Sequence, residues 1–351
     1  MKIAFLNIYN QVVDRGAENF VKEIAKRLST QHQVTVYSAN YITEPKARSQ
    51  TPLTLFGKIL YKLYLDAHSQ RALLFTLKNI QKIIKTDYDW VIPVDAGWQL
   101  LIIKLLQVIK IGHYKILISG QAGIGRDDLR NLRLRPDIFV ALTSRAEKWA
   151  KIINKRVTIL KIPNGVDLDK FNPDIKPAQI SLEKPIIICV AGLNQYKRVQ
   201  ETIQAISSLA VGSLLLLGDG PQRSEIDRLG QQRLGDKRYL RLTVPYAQIP
   251  SYYKAANVFS LVSESSEAFG TAYVEAMACG LPVVATDDQM RHEIVGDAGL
   301  FVNPTNTTEY ASAIQKALSI SWFGKPRKQA QKFNWDEIAK EYETAMANML
   351  R

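Results

Sequence analysis

The chain has 351 residues, 46% of them hydrophobic and 23% charged; this is the balance of an ordinary globular protein and excludes a disordered or fibrous one. At roughly 150 residues per domain, the length allows two domains. The net charge of +13 is uneven: residues 1–170 carry 27 Lys/Arg against 14 Asp/Glu, whereas residues 171–351 carry 19 of each. The excess points to an anionic partner for the first half, such as a membrane surface, a phospholipid-linked substrate or a nucleic acid; the plainer alternative is a merely basic soluble surface.

From the start, MKIAFLNIYN runs straight into a strand pattern without a signal peptide's basic start and cleavage site. The expected location is therefore the cytoplasm, or the inner face of the plasma membrane as a peripheral protein. IAFLN, VTVYSA, DWVIPV, YKILIS and IFVALT read as buried parallel strands, each followed by a helix-length stretch. Gly16 lies just before the helix that begins near Ala17. A glycine there lets backbone approach a phosphate, though a turn glycine explains it too. The segment Phe56–Lys85 has a helical pattern in which Lys58, Lys62, Arg71, Lys78, Lys82 and Lys85 alternate with Leu, Tyr and Phe. A membrane-lying amphipathic segment and a helix pair with a solvated lysine face fit it equally. The longest apolar run, LLIIKLLQVIKI from Leu100, is broken by Lys104 and Lys110 and is too short for the roughly 18 residues of a bilayer span.

From Ile162, IPNGVDLDKFNPDIKPAQISLEKP is rich in turn signals and reads as a linker. The alternation then restarts with PIIICVAG, SLLLLGDG, YLRLTV, VFSLVS, PVVATD and GLFV as strands. Two successive series predict an α/β protein of two Rossmann-like, doubly wound domains facing a cleft. The expected division is residues 1–164 and 165–333, with an amphipathic helix over 334–351 packing back on the first domain. Cys189 and Cys279 fall inside apolar segments and read as buried free thiols.

In such sheets ligands bind beyond the carboxyl ends of strands. After PIIICVAG, Gly192 turns the chain and Lys197 and Arg198 stand beside a helix start, a pair suited to a diphosphate or to solvent. In GDGP, Gly218, Asp219 and Gly220 make a tight turn; Pro221 suits a first helical turn and Asp219 suits its cap. After VFSLVSES, the stretch EAFGTAYVEAMACG places Glu267 and Glu275 eight positions apart around a helix start near Gly270 or Thr271. On one helix that spacing gives about 12 Å along the axis and roughly 80° around it, too far to share a proton or a metal ion. Between the two acids, Phe269, Gly270 and Thr271 present free helix-start N–H groups where a phosphate docks. Carboxylates accept paired sugar hydroxyls, so the line acid, amides, acid implies a hydroxyl–diphosphate–hydroxyl ligand, which describes a nucleotide sugar. No convincing metal cluster is present; Asp87 and Asp89 precede a strand and read as solvated.

These residues resemble the E-x7-E signature of retaining glycosyltransferases of the GT-B fold, in the large family 4 group. The likeness continues through IPNGVDLDKFNP, AGLNQYKRV, LLLLGDGP, VPYAQIPSYYKAANVFSLVSESSEAFG and HEIVGDAGLFVNPTN, covering nearly all of residues 155–305. RGAENF is similar to the family's Gly-Gly-Ala-Glu loop, with Arg15 in place of the first glycine. The resemblance implies that Glu267 contacts the donor sugar and that the amides from Ala268 and Phe269 to Thr271 meet its diphosphate. It further implies that Glu275 holds the ribose, Lys197 neutralises the leaving diphosphate, Gly16 approaches it, and Val244 to Tyr246 border the base. It implies transfer with retention, without a metal or other cofactor, from a nucleotide-sugar donor. Two features depart from the family. Gly192 stands where an arginine is usual, for which Arg198 is a substitute, and the usual first-domain histidine has no counterpart. Gln121, Asp127, Asp128 and Asp95 are then the polar acceptor-side candidates; His113 precedes a strand and reads as unrelated. The acceptor is expected to be anionic or membrane-bound. Rival readings are a nucleotide-sugar 2-epimerase of the same fold, an inactive relative, and a basic nucleic-acid-binding protein; the last leaves the neutral second half unexplained, so no nucleic acid is expected.

Overall fold

The computed structural model describes residues 1–10, 16–39, 61, 63–95 and 98–350. The chain divides into two compact units, residues 1–164 with 335–351 and residues 165–334.

The first unit is built on six parallel strands: β1 (Lys2–Leu6), β2 (Gln33–Tyr37), β3 (Trp90–Pro93), β4 (Lys115–Ser119), β5 (Ile138–Ala141) and β6 (Thr158–Lys161), in the order β2-β1-β3-β4-β5-β6. Successive side chains of a strand face opposite sides of the sheet, and both sides are covered. Ile3 and Phe5 pack with Phe20, Trp335 and Tyr342; Ala4 and Leu6 pack with Phe75, Ile103 and Tyr114. Burial on both faces is why these strands read as continuous apolar runs. β6 was not expected: TILK is only four residues long and sits at the sheet edge, half in solvent, so it carries no strong pattern.

The first unit's helices are α1 (Gly16–Leu28), α2 (Ala67–Thr86), α3 (Trp98–Val108), α4 (Arg126–Arg133) and α5 (Ser144–Ile153). The helical pattern read across Phe56–Lys85 is corrected in part. The Asp66 side chain accepts from the backbone N–H groups of His68 and Ser69, so a new helix starts at Ala67. Residues 63–66 are not helical, and residues 56–60 and 62 lie outside the described residues.

The second unit carries β7 (Ile186–Val190), β8 (Ser213–Leu217), β9 (Tyr239–Leu242), β10 (Val258–Leu261), β11 (Val283–Thr286) and β12 (Gly299–Val302), all parallel, in the order β12-β11-β10-β7-β8-β9. Its helices are α6 (Val199–Ser207), α7 (Arg223–Leu234), α8 (Ile249–Ala255), α9 (Thr271–Ala278), α10 (Gln289–Val295), α11 (Thr307–Ser319) and α12 (Lys325–Gln331). The chain runs outward from β7 on one side and returns to begin β10 on the other, so the topological switch point lies between β7 and β10. In the first unit the reversal lies between β1 and β3. The last helix, α13 (Trp335–Leu350), belongs to the first unit, where the Trp335 and Tyr342 rings pack tilted against Phe20 at 6.5 and 5.5 Å between ring centres.

Candidate functional site

At the second switch point, the loop after β7 runs through Gly192 into a 3-10 turn, Gln195–Lys197, and then α6. Arg198 joins the two with a left-handed backbone (φ 52°), and its guanidinium lies 3.7 Å from Glu264. The neighbouring turn after β8 packs directly against this loop. A Cβ on Gly218 would collide with the Ala191 carbonyl, and one on Gly220 would lie 2.6 Å from the carbonyl oxygen of Leu193. These glycines are therefore required by loop packing. The reading of GDGP as a helix cap is corrected. Asp219 accepts from the N–H of Gly220 at 2.8 Å and stands 3.8 Å from Arg223, while α7 begins at Arg223 with Pro221 outside it. Residues 220–222 take a further turn there before the helix forms.

The loop after β10 approaches the first: the N–H of Glu264 donates to the Tyr196 carbonyl at 2.7 Å, and that of Glu267 to the Glu264 carbonyl at 3.1 Å. Gly270, at φ +83°, forms the N-cap of α9 and offers no side-chain cap. Glu267 thus precedes the helix and only Glu275 lies within it, so the helical spacing between the acids does not apply. The loop instead brings Glu267 onto Lys197, seventy positions earlier; the ammonium donates to Oε2 in an ion pair in which both side chains are largely buried. Burial opposes both charges, yet Lys197 holds the Glu267 carboxyl below the usual range and Glu267 raises the Lys197 ammonium. Both groups are charged.

Behind the pair stands Arg291, fully buried on α10. Its guanidinium donates to Asp288 at 2.5 Å, to the Ser263 carbonyl and hydroxyl at 3.0 and 2.7 Å, and to the Glu264 carbonyl at 2.9 Å. It ties down the loop that carries Glu267 and adds to the positive field on that carboxylate. Sequence reasoning missed it because a charged residue in a short helix reads as solvated. The one usable signal was Asp288, which caps α10 through the N–H of Arg291.

Glu275 is buried, with 6% of its surface exposed. Burial raises its carboxyl, and two hydroxyls oppose the rise: Tyr246 donates to Oε1 at 2.7 Å and Tyr253 to Oε2 at 3.2 Å. Lys170, 3.7 Å over the Tyr246 ring, acts in the same direction. Tyr246 was expected in this region; Tyr253 and Lys170 were not. Val244 is half-buried beside this loop, and Ala268 is half-buried next to Phe269, whose ring is buried against Phe333 at 5.8 Å. The Gly270 and Thr271 N–H groups form the uncapped start of α9 in the same place.

In the first unit, all four acceptor-side candidates, Asp95, Gln121, Asp127 and Asp128, line one cavity of about 130 Å³ near the carboxyl ends of β3 and β4. Asp95 accepts from the Ile8 N–H at 2.7 Å, and Gln121 exchanges two 2.9 Å hydrogen bonds with Asn164. Asp127 pairs with Arg126 at 2.9 Å, and that guanidinium lies 3.4 Å over the Tyr61 ring. Burial pushes the Asp128 carboxyl up to about 8; the Asp127 charge adds to the rise, while Asn131 and the Ala122 and Gly123 N–H groups oppose it. A histidine does line this cavity. His68 reaches it from α2 and stacks on Tyr9 with ring centres 5.7 Å apart. No strand-end pattern announces it, because it arrives from a helix. Gly16 opens α1 in this unit with nothing near the position of a Cβ; residues 11–15, with Arg15 of the RGAENF loop, lie outside the described residues. His113 is exposed, two residues before β4 at the opposite end of the strand from the cavity.

Among the described residues no group of three or more His, Cys, Asp and Glu side chains could hold a metal ion.

Residues 171–334 match the family Glycosyl transferases group 1. The chain is 26% identical over 218 residues to a GDP-mannose-dependent alpha-(1-6)-phosphatidylinositol monomannoside mannosyltransferase of Mycolicibacterium smegmatis, covering 56% of each protein. It is 30% identical over 183 residues to N-acetyl-alpha-D-glucosaminyl L-malate synthase of Bacillus anthracis, covering 49% of this chain and 48% of that protein. The matches thus span about half the length of these relatives. Among solved structures, sucrose-phosphate synthase of Thermosynechococcus elongatus superposes over 99% of both chains with a TM-score of 0.78 at 20% identity. Anabaena HepE in complex with UDP and glucose does so with 0.76 at 18% identity, over 99% of this chain and all of that one. These likenesses establish the two-unit α/β architecture as GT-B.

Proposed function

From the premise that residues 171–334 form a Glycosyl transferases group 1 domain within a GT-B chain, we propose that the protein is a retaining glycosyltransferase using a nucleotide-sugar donor. The observation that carries this reading is the buried Lys197–Glu267 pair beside the uncapped start of α9 at the switch point of the second sheet. A diphosphate seated there meets the Lys197 ammonium and the Gly270 and Thr271 amides, which stabilise the charge that develops as the sugar leaves. Preorganised donors of this kind each contribute roughly 2.7–4 kcal/mol to lowering a barrier.

Binding changes partners within the pair. Lys197 turns to the diphosphate, and the freed Glu267 carboxylate accepts sugar hydroxyls. Glu275, held by Tyr246 and Tyr253, takes the ribose hydroxyls, with Val244 and Tyr246 bordering the base. Because the positive groups are supplied by the chain, the leaving diphosphate requires no metal ion, and attack on the donor's own face retains the anomeric configuration. Relatives named for GDP-mannose dependence and a fold neighbour holding UDP and glucose support the donor class. On the acceptor side, the cavity of Asp95, Gln121, Asp127 and Asp128 suits a hydroxyl-bearing acceptor, with His68 as a further lining group. The basic first half supports an acceptor that is anionic or held at a membrane.

The test is a thermal-shift panel of UDP-, GDP- and ADP-sugars, followed by product analysis with and without EDTA. Stabilisation by one nucleotide class and EDTA-resistant transfer are expected; no stabilisation by any of them would remove the reading.

A further inference from the structure

We propose that the outer face of α2 and α3 in the first unit is a docking surface for an anionic lipid bilayer. The two helices pack side by side on one face of the sheet. Their solvent side is apolar to a degree that a solvated helix pair does not need. Leu74 and Leu77 of α2, and Leu105, Val108, Ile109 and Ile111 at the end of α3, are between 48% and 65% exposed. On α2 the stripe follows the helical period: Leu74, Leu77, Gln81 and Lys85 recur on the exposed side while Ala72, Phe75, Thr76 and Ile83 are buried.

The charges around this apolar patch are mostly positive, with Asp87, Asp89 and Asp137 gathered near Lys110 at one end of it. Arg71, Lys78, Lys82 and Lys85 lie on α2, and Lys104 and Lys110 on or just after α3. Residues 67–86 contain no Asp or Glu, and neither do residues 98–126. Leucines and isoleucines rimmed by an excess of cations, with no acid on either helix, form the composition of a helix face that sits at a lipid–water boundary. No helix among the described residues is long and apolar enough to cross a membrane, so the contact is interfacial.

Charge complementarity selects this occupant. A second copy of the chain on a two-fold axis would set this excess of cations against the same excess. Nucleic acid would call for aromatic stacking groups, where this patch presents branched aliphatic ones. An anionic bilayer satisfies both components: the aliphatic side chains enter the boundary and the lysines meet the headgroups, each basic residue strengthening binding roughly fivefold. The surface deepens the reading of a membrane-held acceptor, yet its test uses neither donor nor acceptor.

The full chain is floated with vesicles of phosphatidylcholine alone and of phosphatidylcholine with phosphatidylglycerol. Expected is binding to the anionic vesicles, weakened by salt, and lowered at least about tenfold both by Val108→Ser with Ile109→Ser and by Lys82→Glu with Lys85→Glu. Unchanged melting temperatures establish that these exposed substitutions leave the fold intact. Absence of binding to anionic vesicles, equal binding to neutral ones, or binding unaffected by either double variant overturns the proposal. So does self-association of the wild type, seen by light scattering, that Val108→Ser with Ile109→Ser abolishes, since a second copy would then cover the face. Vesicle binding without glycosyl transfer would leave the surface standing and remove the enzymatic reading, so the two failures are distinguishable.

Discussion

Glu267→Gln isolates the central electrostatic arrangement. In the unliganded protein the Lys197 and Glu267 side chains are 12% and 13% exposed and neutralise each other. Removing one partner of a buried pair costs about 3–5 kcal/mol, because the remaining charge stays desolvated and unanswered. Arg291 is already answered by Asp288, so the orphaned group is Lys197, and the unliganded variant should melt well below the wild type. A nucleoside diphosphate returns a negative charge to the same ammonium. In the wild type it must displace Glu267; in the variant it has no competitor. Recovery of even ~1.4 kcal/mol of the penalty makes UDP or GDP bind about tenfold tighter to the variant, while sugar transfer falls because a neutral amide replaces the carboxylate at the sugar. Titration calorimetry with both nucleotides, alongside melting curves, measures this. Nucleotide affinity unchanged or weaker, together with an unaltered unliganded melting temperature, would refute the competition. Lys197→Met combined with Glu267→Gln should regain much of the lost stability and lose the tightened binding, which separates the charge effect from misfolding.

Asp128→Asn should change how stability depends on pH. Burial pushes the carboxyl up to about 8 from an ordinary value of 3.8, so its favourable neutral state is fully kept below about pH 4 and is lost as pH rises towards 8. At 1.36 kcal/mol per unit this is a penalty on the order of 5 kcal/mol. The neutral isostere avoids the penalty, and denaturant unfolding at about pH 5 and pH 8 should show the variant gaining on the wild type at the higher pH; parallel curves would contradict the burial. Arg291→Lys keeps the charge but cannot span Asp288, Ser263 and Glu264 at once, so a loss of about 2–4 kcal/mol in unfolding free energy is expected, with transfer impaired through the loosened Glu267 loop; a loss below about 1 kcal/mol would deny it that role. Tyr246→Phe removes the first of the hydroxyls that oppose the burial-driven rise of the Glu275 carboxyl, so the acid limb of nucleotide binding should move to higher pH. An unmoved limb would mean that the hydrogen bond does not act on the ionised form.

How much of this was legible beforehand follows from the range of each interaction. Strand runs such as IIICV and SLLLL declare themselves because a parallel strand is buried on both faces along its whole length, and all six strands of the second sheet were readable. β6 escaped, since four half-exposed residues at an edge carry too little pattern. Glu267, Phe269, Gly270, Thr271 and Glu275 could be read as one candidate group because one loop and one helix start carry them all within nine positions. The cap assigned to Asp219 failed because capping depends on where the helix begins, and the chain takes one more turn before α7.

The sequence by itself determined the architecture and the chemical character of the donor-side candidates: two βα series with a basic first half, and an acid–amide–acid line at a helix start. These are properties of local periodicity and of residue type. Only the tertiary structure decided which groups act on one another. It set Lys197 against Glu267, placed Arg291 behind them, closed two tyrosine hydroxyls on Glu275, and gathered His68 with four polar residues around one cavity. It also turned the leucines of α2 and α3 outward among lysines. Each of these depends on side chains brought together by the order of strands in a sheet or by which face of a helix meets the core, and spacing along the chain carries neither.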